Sequence, residues 1–236
     1  MVTIIGCDIS LDHAGFCFLN EDGKVLDYQF YSQIKKEIAE DAEHGILLTV
    51  KKQDGEDPLQ FQMRRLSEYL ELFKDIGRHV VADCFSIEGY AYQTVTNSIT
   101  QNSELMGMIK HHLYKNGFSF RIHDPLSVKF FAVGKGNATK DEMVEQAAKE
   151  GFVPNASFKM RKKKLKTGFV NEMDGPKTDV VDAYFLARLL WTELKLRTGE
   201  LLLKDLPEYQ VMVFNRVTKT YPVNILARSL IRIING

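Results

Sequence analysis

The apolar and polar positions along the 236 residues predict short buried segments first and longer amphipathic ones later. Val2 to Asp8 is a nearly continuous apolar run, which predicts a central strand buried on both faces. Phe16 to Leu19 and Lys24 to Tyr31 predict two further strands, and Glu21 to Gly23 predicts a hairpin turn between them. We therefore expect the chain to open with an antiparallel meander of three strands.

The middle of the chain alternates strands with helices. Val80 to Glu88 and Phe118 to His123 predict strands, whereas Leu59 to Lys74 and Asn97 to Lys115 have the apolar spacing of helices. Because connections through a helix join parallel strands, these two strands are expected to lie parallel. The predicted fold class is α/β, with a five-stranded mixed sheet that combines the meander with two parallel strands and is flanked by helices.

Two segments interrupt this order within a chain that we expect to form a single domain over residues 1–236. Residues 32–58 carry charges of both signs around a short apolar island, which predicts a mobile insertion. Residues 151–178 contain Lys159 to Lys166, with six basic residues in eight, and are punctuated by Gly and Pro. This segment is expected to be a basic loop in which Glu172 and Asp174 are solvated.

Three further helices are predicted late in the chain. Thr139, with Glu142 three residues on, predicts a capping box that starts a helix over Lys140 to Lys149. Residues 197–236 form a C-terminal extension, in which Leu206 to Val213 predicts a helix and Val223 to Ile234 predicts a basic amphipathic one.

The most informative helix is Lys177 to Trp191, which is apolar around most of its circumference and is expected to be buried. Asp179 and Asp182 lie within it at a spacing that projects both carboxylates from one side. Burial of two like charges costs several kcal/mol unless a partner compensates them. A bound divalent cation is one such partner; the alternative is that Asp179 caps the helix and Asp182 pairs with an arginine.

Two predicted strands also end on carboxylates, at Asp8 and Glu88. If these strands are parallel neighbours, their ends lie about 5 Å apart, at the edge where ligand sites form in such sheets. The late helix would bring Asp179 and Asp182 to the same edge. Oxygen ligands suit Mg²⁺ or Mn²⁺, and two ions about 4 Å apart would balance the charge and promote phosphodiester hydrolysis.

Composition adds little to this hypothesis. The net charge is zero, so global charge does not indicate a nucleic-acid or membrane partner. Cys7, Cys17 and Cys84 lie in apolar runs without metal-type spacing, as reduced core thiols of an intracellular protein do. We expect no signal peptide and no membrane span, and therefore a cytoplasmic protein.

Four blocks of this sequence resemble, in order and spacing, the RuvC-type Holliday-junction resolvases of the ribonuclease H-like superfamily. They are IGCDISL at 5–11, IEGY at 87–90, VK at 128–129 with GKGNATK at 134–140, and DVVDA at 179–183. The resemblance covers roughly residues 2–31 and 80–190. The insertion, the basic segment and the extension depart from the bacterial enzyme, and viral members vary in these ways, which favours a phage-type enzyme in the host cytoplasm.

The resemblance implies a ribonuclease H-like fold and an endonuclease that resolves four-way DNA junctions by paired symmetric nicks. It implies two Mg²⁺ ions per site, replaceable by Mn²⁺, and a two-fold homodimer, which suits two symmetric cuts. The implied catalytic metal ligands are Asp8, Glu88, Asp179 and Asp182. The implied DNA contacts are Lys129, Lys135 and Lys140, with Tyr90 and Tyr92 nearest to the aromatic position of the family.

The basic run admits two interpretations. Charge runs are usually solvated loops, but beside a phosphodiester site a mobile arm on DNA phosphates is favoured, which would raise affinity without reading sequence. Its predicted contacts are Arg161, Lys162, Lys163 and Lys164.

Alternative functions remain open. An actin- or sugar-kinase-like ATPase also opens with a strand ending in Asp, but it requires a second nucleotide-binding half that this pattern does not show. A non-catalytic junction-binding protein would be expected to lack some of the carboxylates. A nuclease of broader specificity for branched DNA or flaps, and one that cuts RNA/DNA hybrids, would share the same acidic chemistry.

Overall fold

The computed structural model describes residues 3–79, 82–89, 97–165, 168–219 and 221–232. Its main element is a mixed six-stranded sheet with the strand order β4-β3-β2-β1-β5-β6. The strands are β1 (Ile4–Ile9), β2 (His13–Leu19), β3 (Val25–Ser32), β4 (Gly45–Leu47), β5 (Cys84–Glu88) and β6 (Ser119–His123).

The strand directions agree with the predicted mixed sheet. The pairs β1–β2 and β2–β3 are antiparallel and form the meander, whereas β1–β5 and β5–β6 are parallel. The prediction of five strands was wrong, because β4 of the insertion pairs parallel with the outer edge of β3. The insertion therefore adds a short helix, α1 (Lys35–Ala39), and an edge strand to the sheet.

Helices cover both faces of the sheet. Side chains of β1 alternate between the two faces, so that Ile5 and Cys7 belong to one apolar core and Ile4 to the other. The first core includes α2 (Pro58–His79) and α3 (Asn97–Lys115). The second includes α4 (Pro125–Val133), α5 (Lys140–Lys149), α6 (Pro176–Thr198) and α7 (Glu208–Asn215). Cys7, Cys17 and Cys84 are buried and unpaired, as predicted.

Helix α6 is the buried helix that the apolar pattern predicts. It begins at Pro176, where the fixed φ of proline suits the first helical position. It ends before Gly199, whose φ of 78° closes the last turn in the left-handed conformation. At Gly6 the helix lies directly on β1, because a Cβ there would come within 1.9 Å of the Ala183 carbonyl oxygen.

Helix α5 starts with the predicted capping box. The Thr139 side chain accepts a hydrogen bond from the Glu142 backbone N–H, and the Glu142 carboxylate accepts one from the Thr139 N–H. This reciprocal pair fixes the first turn of the helix and therefore the position of Lys140, its first residue.

The basic segment is a two-stranded ribbon outside the main sheet, so the prediction of a loop over 151–178 was wrong. β7 (Lys159–Leu165) pairs antiparallel with β8 (Gly168–Asp174). The prediction that Glu172 and Asp174 are solvated loop residues was also wrong, because both lie on β8 and are only partly exposed. β8 ends at Asp174, two residues before the start of α6 at Pro176.

The C-terminal extension contains one of its two predicted helices. Helix α7 is present, but the helix predicted over Val223 to Ile234 was wrong for its described part, where only a 3-10 turn at Ile225–Ala227 forms. The backbone is extended at Arg228 after this turn, and Ile231 exchanges two backbone hydrogen bonds with Phe120 on β6. None of the described helices is both long and apolar enough to cross a membrane.

Candidate active site

Asp8 and Glu88 lie side by side where β1 and β5 end. In this parallel pair Cys7 is in register with Ile87, so the next residue on each strand is one of the two acids. Asp8 also lies across the antiparallel ladder from Gly15 on β2. The strand register therefore brings two of the predicted ligands to the same edge of the sheet.

Helix α6 brings Asp179 and Asp182 to this edge with its first two turns. A Cβ on Gly15 would lie 2.3 Å from both the carbonyl carbon and the carbonyl oxygen of Asp179. The absence of a side chain at Gly15 therefore allows the helix to start directly over the sheet. Asp179 is 3% exposed and Asp182 is partly exposed.

The pKa of Asp8 shows that the four carboxylates form one electrostatic cluster. Burial is the largest cause that raises its pKa well above the ordinary value. The nearby charges that raise it further belong, in decreasing order, to Glu88, Asp179 and Asp182. The Lys140 ammonium opposes them. We refer to Asp8, Glu88, Asp179 and Asp182 as the acidic tetrad.

Two other members of the tetrad show the same effect. Burial raises the pKa of Glu88 to about 8, and the Asp182 charge adds to this shift. Burial also raises the pKa of Asp182 to about 6, although Lys140 acts to lower it. Lys129 on α4 lowers both values, so it too lies close to the tetrad. Without further cations, the cluster therefore holds protons near neutral pH.

Lys140 lies at the rim of the tetrad. Its Nζ atom is 3.7 Å from Oδ1 of Asp179, 3.1 Å from Oδ1 of Asp174 and 3.0 Å from Oγ1 of Thr178. These acidic neighbours raise the pKa of Lys140 against the opposing effect of its burial, so its side chain is a permanent cation. A positive charge in this position offsets part of the carboxylate repulsion.

Sequence reasoning missed three polar neighbours of the tetrad. His13 Nδ1 lies 2.5 Å from Oδ2 of Asp179, which raises the pKa of the imidazole although burial acts to lower it. Asp174 contacts Lys140, and the charge of Glu172 contributes to the raised pKa of Asp182. Glu172 and Asp174 are two residues apart, so they lie on the same face of a strand. This spacing could have indicated that both acids face the site, but only if the segment had been recognised as a strand.

The chemistry of the tetrad fits a divalent cation. Its donors are carboxylate oxygens, which Mg²⁺ and Mn²⁺ prefer. Oδ2 of Asp179 is buried and accepts no well-directed hydrogen bond from the described residues, despite its short distance to His13. However, among the residues that the structure describes, no three His, Cys, Asp or Glu side chains are grouped tightly enough to hold a metal ion without rearrangement. Binding would therefore require the carboxylates to move together.

The predicted DNA contacts differ in position. Lys129 and Lys140 lie beside the tetrad. Lys135 follows α4 in an exposed position, with its Nζ 2.7 Å from Oε1 of Glu142. Arg161 and Lys162 are exposed on β7, and the next two predicted contacts, Lys163 and Lys164, follow them on the same strand. Tyr90 and Tyr92 lie outside the described residues.

Solved structures with a similar fold include Thermus thermophilus RuvC, which is 16% identical with a TM-score of 0.51 over 84% of this chain and 97% of that chain. T. thermophilus RuvC in complex with a Holliday-junction substrate matches over the same shares, with 12% identity and a TM-score of 0.52. The yeast mitochondrial Holliday junction resolvase Ydc2 is 14% identical, with a TM-score of 0.48 over 78% of this chain and 75% of that chain.

No protein-family model matches the chain, and no curated protein matches its sequence. At these identities the likeness to T. thermophilus RuvC shows the fold. The chain therefore has a RuvC-like fold, with a six-stranded mixed sheet flanked by helices.

Proposed function

We propose that this chain is a metal-dependent endonuclease that hydrolyses phosphodiester bonds in branched DNA and resolves four-way junctions by paired symmetric nicks. The observation that carries the proposal is the meeting of Asp8, Glu88, Asp179 and Asp182 at one edge of a RuvC-like fold. Carboxylates that raise each other's pKa in a partly enclosed site are unfavourable for stability and typical of functional sites. A non-catalytic junction-binding protein would have no use for this set.

The acidic tetrad would hold Mg²⁺ as the resident cation, two ions per site, with Mn²⁺ as a substitute. Bound ions of this kind lower the pKa of a water molecule and stabilise the leaving oxygen of a phosphodiester. Two divalent ions carry four positive charges, which matches the four carboxylates. The four carboxylates of the tetrad would act as metal ligands, so none of them would have to serve as a general acid or base.

The chain's own cations would position the DNA. Lys129 and Lys140 lie beside the tetrad, where an ammonium attracts the scissile phosphate and offsets its negative charge. A water oxygen would bond to phosphorus and lose a proton to solvent, while the bond from phosphorus to the 3′ oxygen breaks and that oxygen takes up a proton from solvent. The resemblance to RuvC-type enzymes supports this polarity, which leaves a 5′-phosphate and a 3′-hydroxyl.

The basic ribbon would bind the phosphates of a DNA arm next to the site. Arg161 is 72% exposed at its side chain and Lys159 is 53% exposed, so both are available to an approaching backbone. Such contacts position a duplex without reading its sequence. Lys135, Lys162, Lys163 and Lys164 would add to them, and Tyr90 and Tyr92 would contact bases at the junction.

Three finer assignments belong to the same proposal. A two-fold homodimer would present two tetrads to a junction that needs two symmetric cuts. The insertion, ribbon and extension depart from the bacterial enzyme in ways that favour a phage-type member. The protein would then act in the cytoplasm of the host cell.

The deciding experiment offers labelled four-way, Y-shaped and linear duplex DNA to the purified protein with Mg²⁺ or with EDTA. Paired symmetric nicks confined to the four-way substrate in Mg²⁺ support a resolvase. Equal cutting of forks and flaps supports a nuclease of broader specificity instead. Binding without cutting in Mg²⁺ and in Mn²⁺ removes the proposed enzyme activity.

A substitution within the tetrad tests whether this site carries the chemistry. Asp8→Asn keeps the size of the side chain and removes its charge, so it should retain binding of the four-way junction and lose cleavage by about a thousandfold or more. A matched substitution of an exposed acid, Asp22→Asn, should cut at the wild-type rate. Cleavage retained by Asp8→Asn would place the reaction elsewhere.

A further inference from the structure

Asp174, the last residue of β8, lies closer to the Lys140 ammonium than Asp179 of the tetrad does. Oδ1 of Asp174 is 3.1 Å from Nζ of Lys140, whereas Oδ1 of Asp179 is 3.7 Å away. Oγ1 of Thr178 completes the contacts at 3.0 Å. The ammonium is therefore held on the side of the site that faces the ribbon.

Both oxygens of Asp174 are engaged by cations. While Oδ1 faces Lys140, Oδ2 lies 3.6 Å from Nη1 of Arg161 on the neighbouring strand. The Asp174 side chain is only 16% exposed, so little water competes for these contacts. Asp174 is therefore already neutralised by protein cations and differs in this respect from the tetrad.

Lys140 is also within reach of the tetrad. Burial raises the pKa of Asp8, Glu88 and Asp182, and the charge of Lys140 acts against this rise at all three carboxylates. The ammonium therefore acts on each of them. If Asp174 were neutral, the nearest remaining carboxylate would be Asp179. The flexible lysine stem would then let the ammonium move into the cluster, where it would compete for the oxygens that a divalent cation needs.

We propose that Asp174 is a positioning residue that anchors Lys140 at the rim of the tetrad and so keeps the tetrad open to a divalent cation. This inference rests on the proposed function, because it assumes that the tetrad binds metal. Asp174 belongs to the basic segment, which departs from the RuvC-type pattern. The anchor therefore ties the base of the ribbon to the candidate active site through one carboxylate.

The test measures binding of Mn²⁺ alone, from the free-ion signal in electron paramagnetic resonance, to the full-length protein and its variants. Asp174→Asn should weaken Mn²⁺ binding by about tenfold, the scale on which residues supporting metal ligands act. Asp174→Glu should recover most of the affinity because it restores the anchoring charge. The double variant Asp174→Asn/Lys140→Ala should bind at least as tightly as wild type, because the competing ammonium is gone.

The double variant separates a positioning role from the alternatives. If Asp174 were a metal ligand or only a structural contact, removal of Lys140 would not restore affinity, and that result would overturn the inference. Glu172→Gln is the matched control, since it removes a nearby acid from the same strand. If Glu172→Gln weakened Mn²⁺ binding as much as Asp174→Asn does, the effect would come from the loss of any nearby negative charge. That result would also overturn the inference.

Failure of the inference is distinguishable from failure of the proposed function. A wild-type protein that binds Mn²⁺ but shows no rescue in the double variant loses only the positioning role of Asp174. A wild-type protein that binds no Mn²⁺ loses the metal-dependent function, and the inference falls with it.

Discussion

Gly15 and Asp179 contact each other backbone to backbone. A Cβ on Gly15 would lie 2.3 Å from the carbonyl carbon of Asp179, well inside the distance that two such atoms tolerate. Gly15 is also the ladder partner of Asp8. One residue without a side chain therefore sets the separation between the strand that carries Asp8 and the helix that carries Asp179.

Gly15→Ala should displace the start of α6 from the sheet. We expect it to lower the free energy of unfolding by about 2–4 kcal/mol and to weaken Mn²⁺ binding, because a methyl group cannot fit beside the Asp179 backbone. Urea unfolding and Mn²⁺ titration measure the two effects. The control is Gly107→Ala in α3, where the added Cβ meets nothing within 4 Å and should stabilise the helix by about 0.5–1 kcal/mol. Equal effects at both positions would contradict the close approach of α6.

Glu88 should make the metal-free protein less stable as the pH rises. Because the pKa of Glu88 is raised to about 8, its contribution to stability is full below its ordinary value of 4.5 and is lost as the pH rises through about 8. At pH 8.5 without metal, Glu88→Gln should therefore be more stable than wild type by about 2 kcal/mol. Thermal melting across this range measures the difference.

The same experiment includes an internal control. At pH 3 the Glu88 carboxyl is protonated in both the folded and the unfolded state, because this pH lies well below both pKa values, so wild type and Glu88→Gln should melt at similar temperatures. Mn²⁺ should stabilise wild type more at pH 8.5 than at pH 5.5, because the cation replaces protons on the tetrad. A difference between the two proteins that does not change with pH would show that Glu88 is not desolvated as described.

The basic ribbon should contribute affinity that depends on salt. Arg161→Ala with Lys162→Ala removes two exposed cations and should reduce the slope of log affinity against log salt by about 1–2. Binding to four-way and linear DNA should weaken by similar factors, because phosphate contacts carry no sequence information. Fluorescence anisotropy at several salt concentrations measures the slope.

The matched control for the ribbon is Lys149→Ala. Lys149 ends α5, about 14 Å along the helix from Lys140 at its start. Lys149→Ala should leave the slope of log affinity against log salt unchanged. A ribbon variant that binds like wild type at every salt concentration would contradict the role proposed for β7.

Arg121 and Glu193 form a buried ion pair that holds the C-terminal extension. Arg121 is 4% exposed and Glu193 is fully buried. Arg121 also donates hydrogen bonds to the backbone carbonyls of Arg228 and Ser229. Glu193→Gln should cost about 3–5 kcal/mol, because it leaves the guanidinium buried without its counter-charge.

The same change should expose the extension to trypsin at Arg228, which limited proteolysis followed by mass spectrometry detects. Glu200→Gln is the control, since Glu200 pairs with Lys195 at the surface and such pairs contribute little. Its stability should remain within about 0.5 kcal/mol of wild type. Unchanged proteolysis in Glu193→Gln would show that the pair does not retain the extension.

The sequence was sufficient to predict five of the six strands of the main sheet and the convergence of the four carboxylates at one of its edges. Continuous apolar runs identify β1 and β5, and both runs lead directly to a carboxylate, Asp8 or Glu88. The apolar circumference of α6 predicts burial, so its two acids required an explanation from the start. These signals are local, and the parallel pairing follows from the helices between the strands.

The ribbon, the extension and the neighbours of the tetrad depend on long-range contacts that local patterns do not contain. Lys159 to Leu165 shows no apolar alternation, and its first four residues, Lys159 to Lys162, are exposed on a ribbon outside the main sheet. The basic periodicity after Val223 suggested a helix, but Arg121 and Arg197 bind the backbone carbonyl of Arg228 and hold that segment extended. Asp174 and His13 reach the site only through the fold.

The pairing of Ile231 with Phe120 has a consequence for assembly. Phe120 uses both its backbone N–H and its carbonyl on Ile231, so the chain itself fills this outer position of β6. A second copy cannot add a strand there to make a continuous sheet across two subunits. A two-fold pair that associated beside this position would have to use surfaces other than the backbone of Phe120.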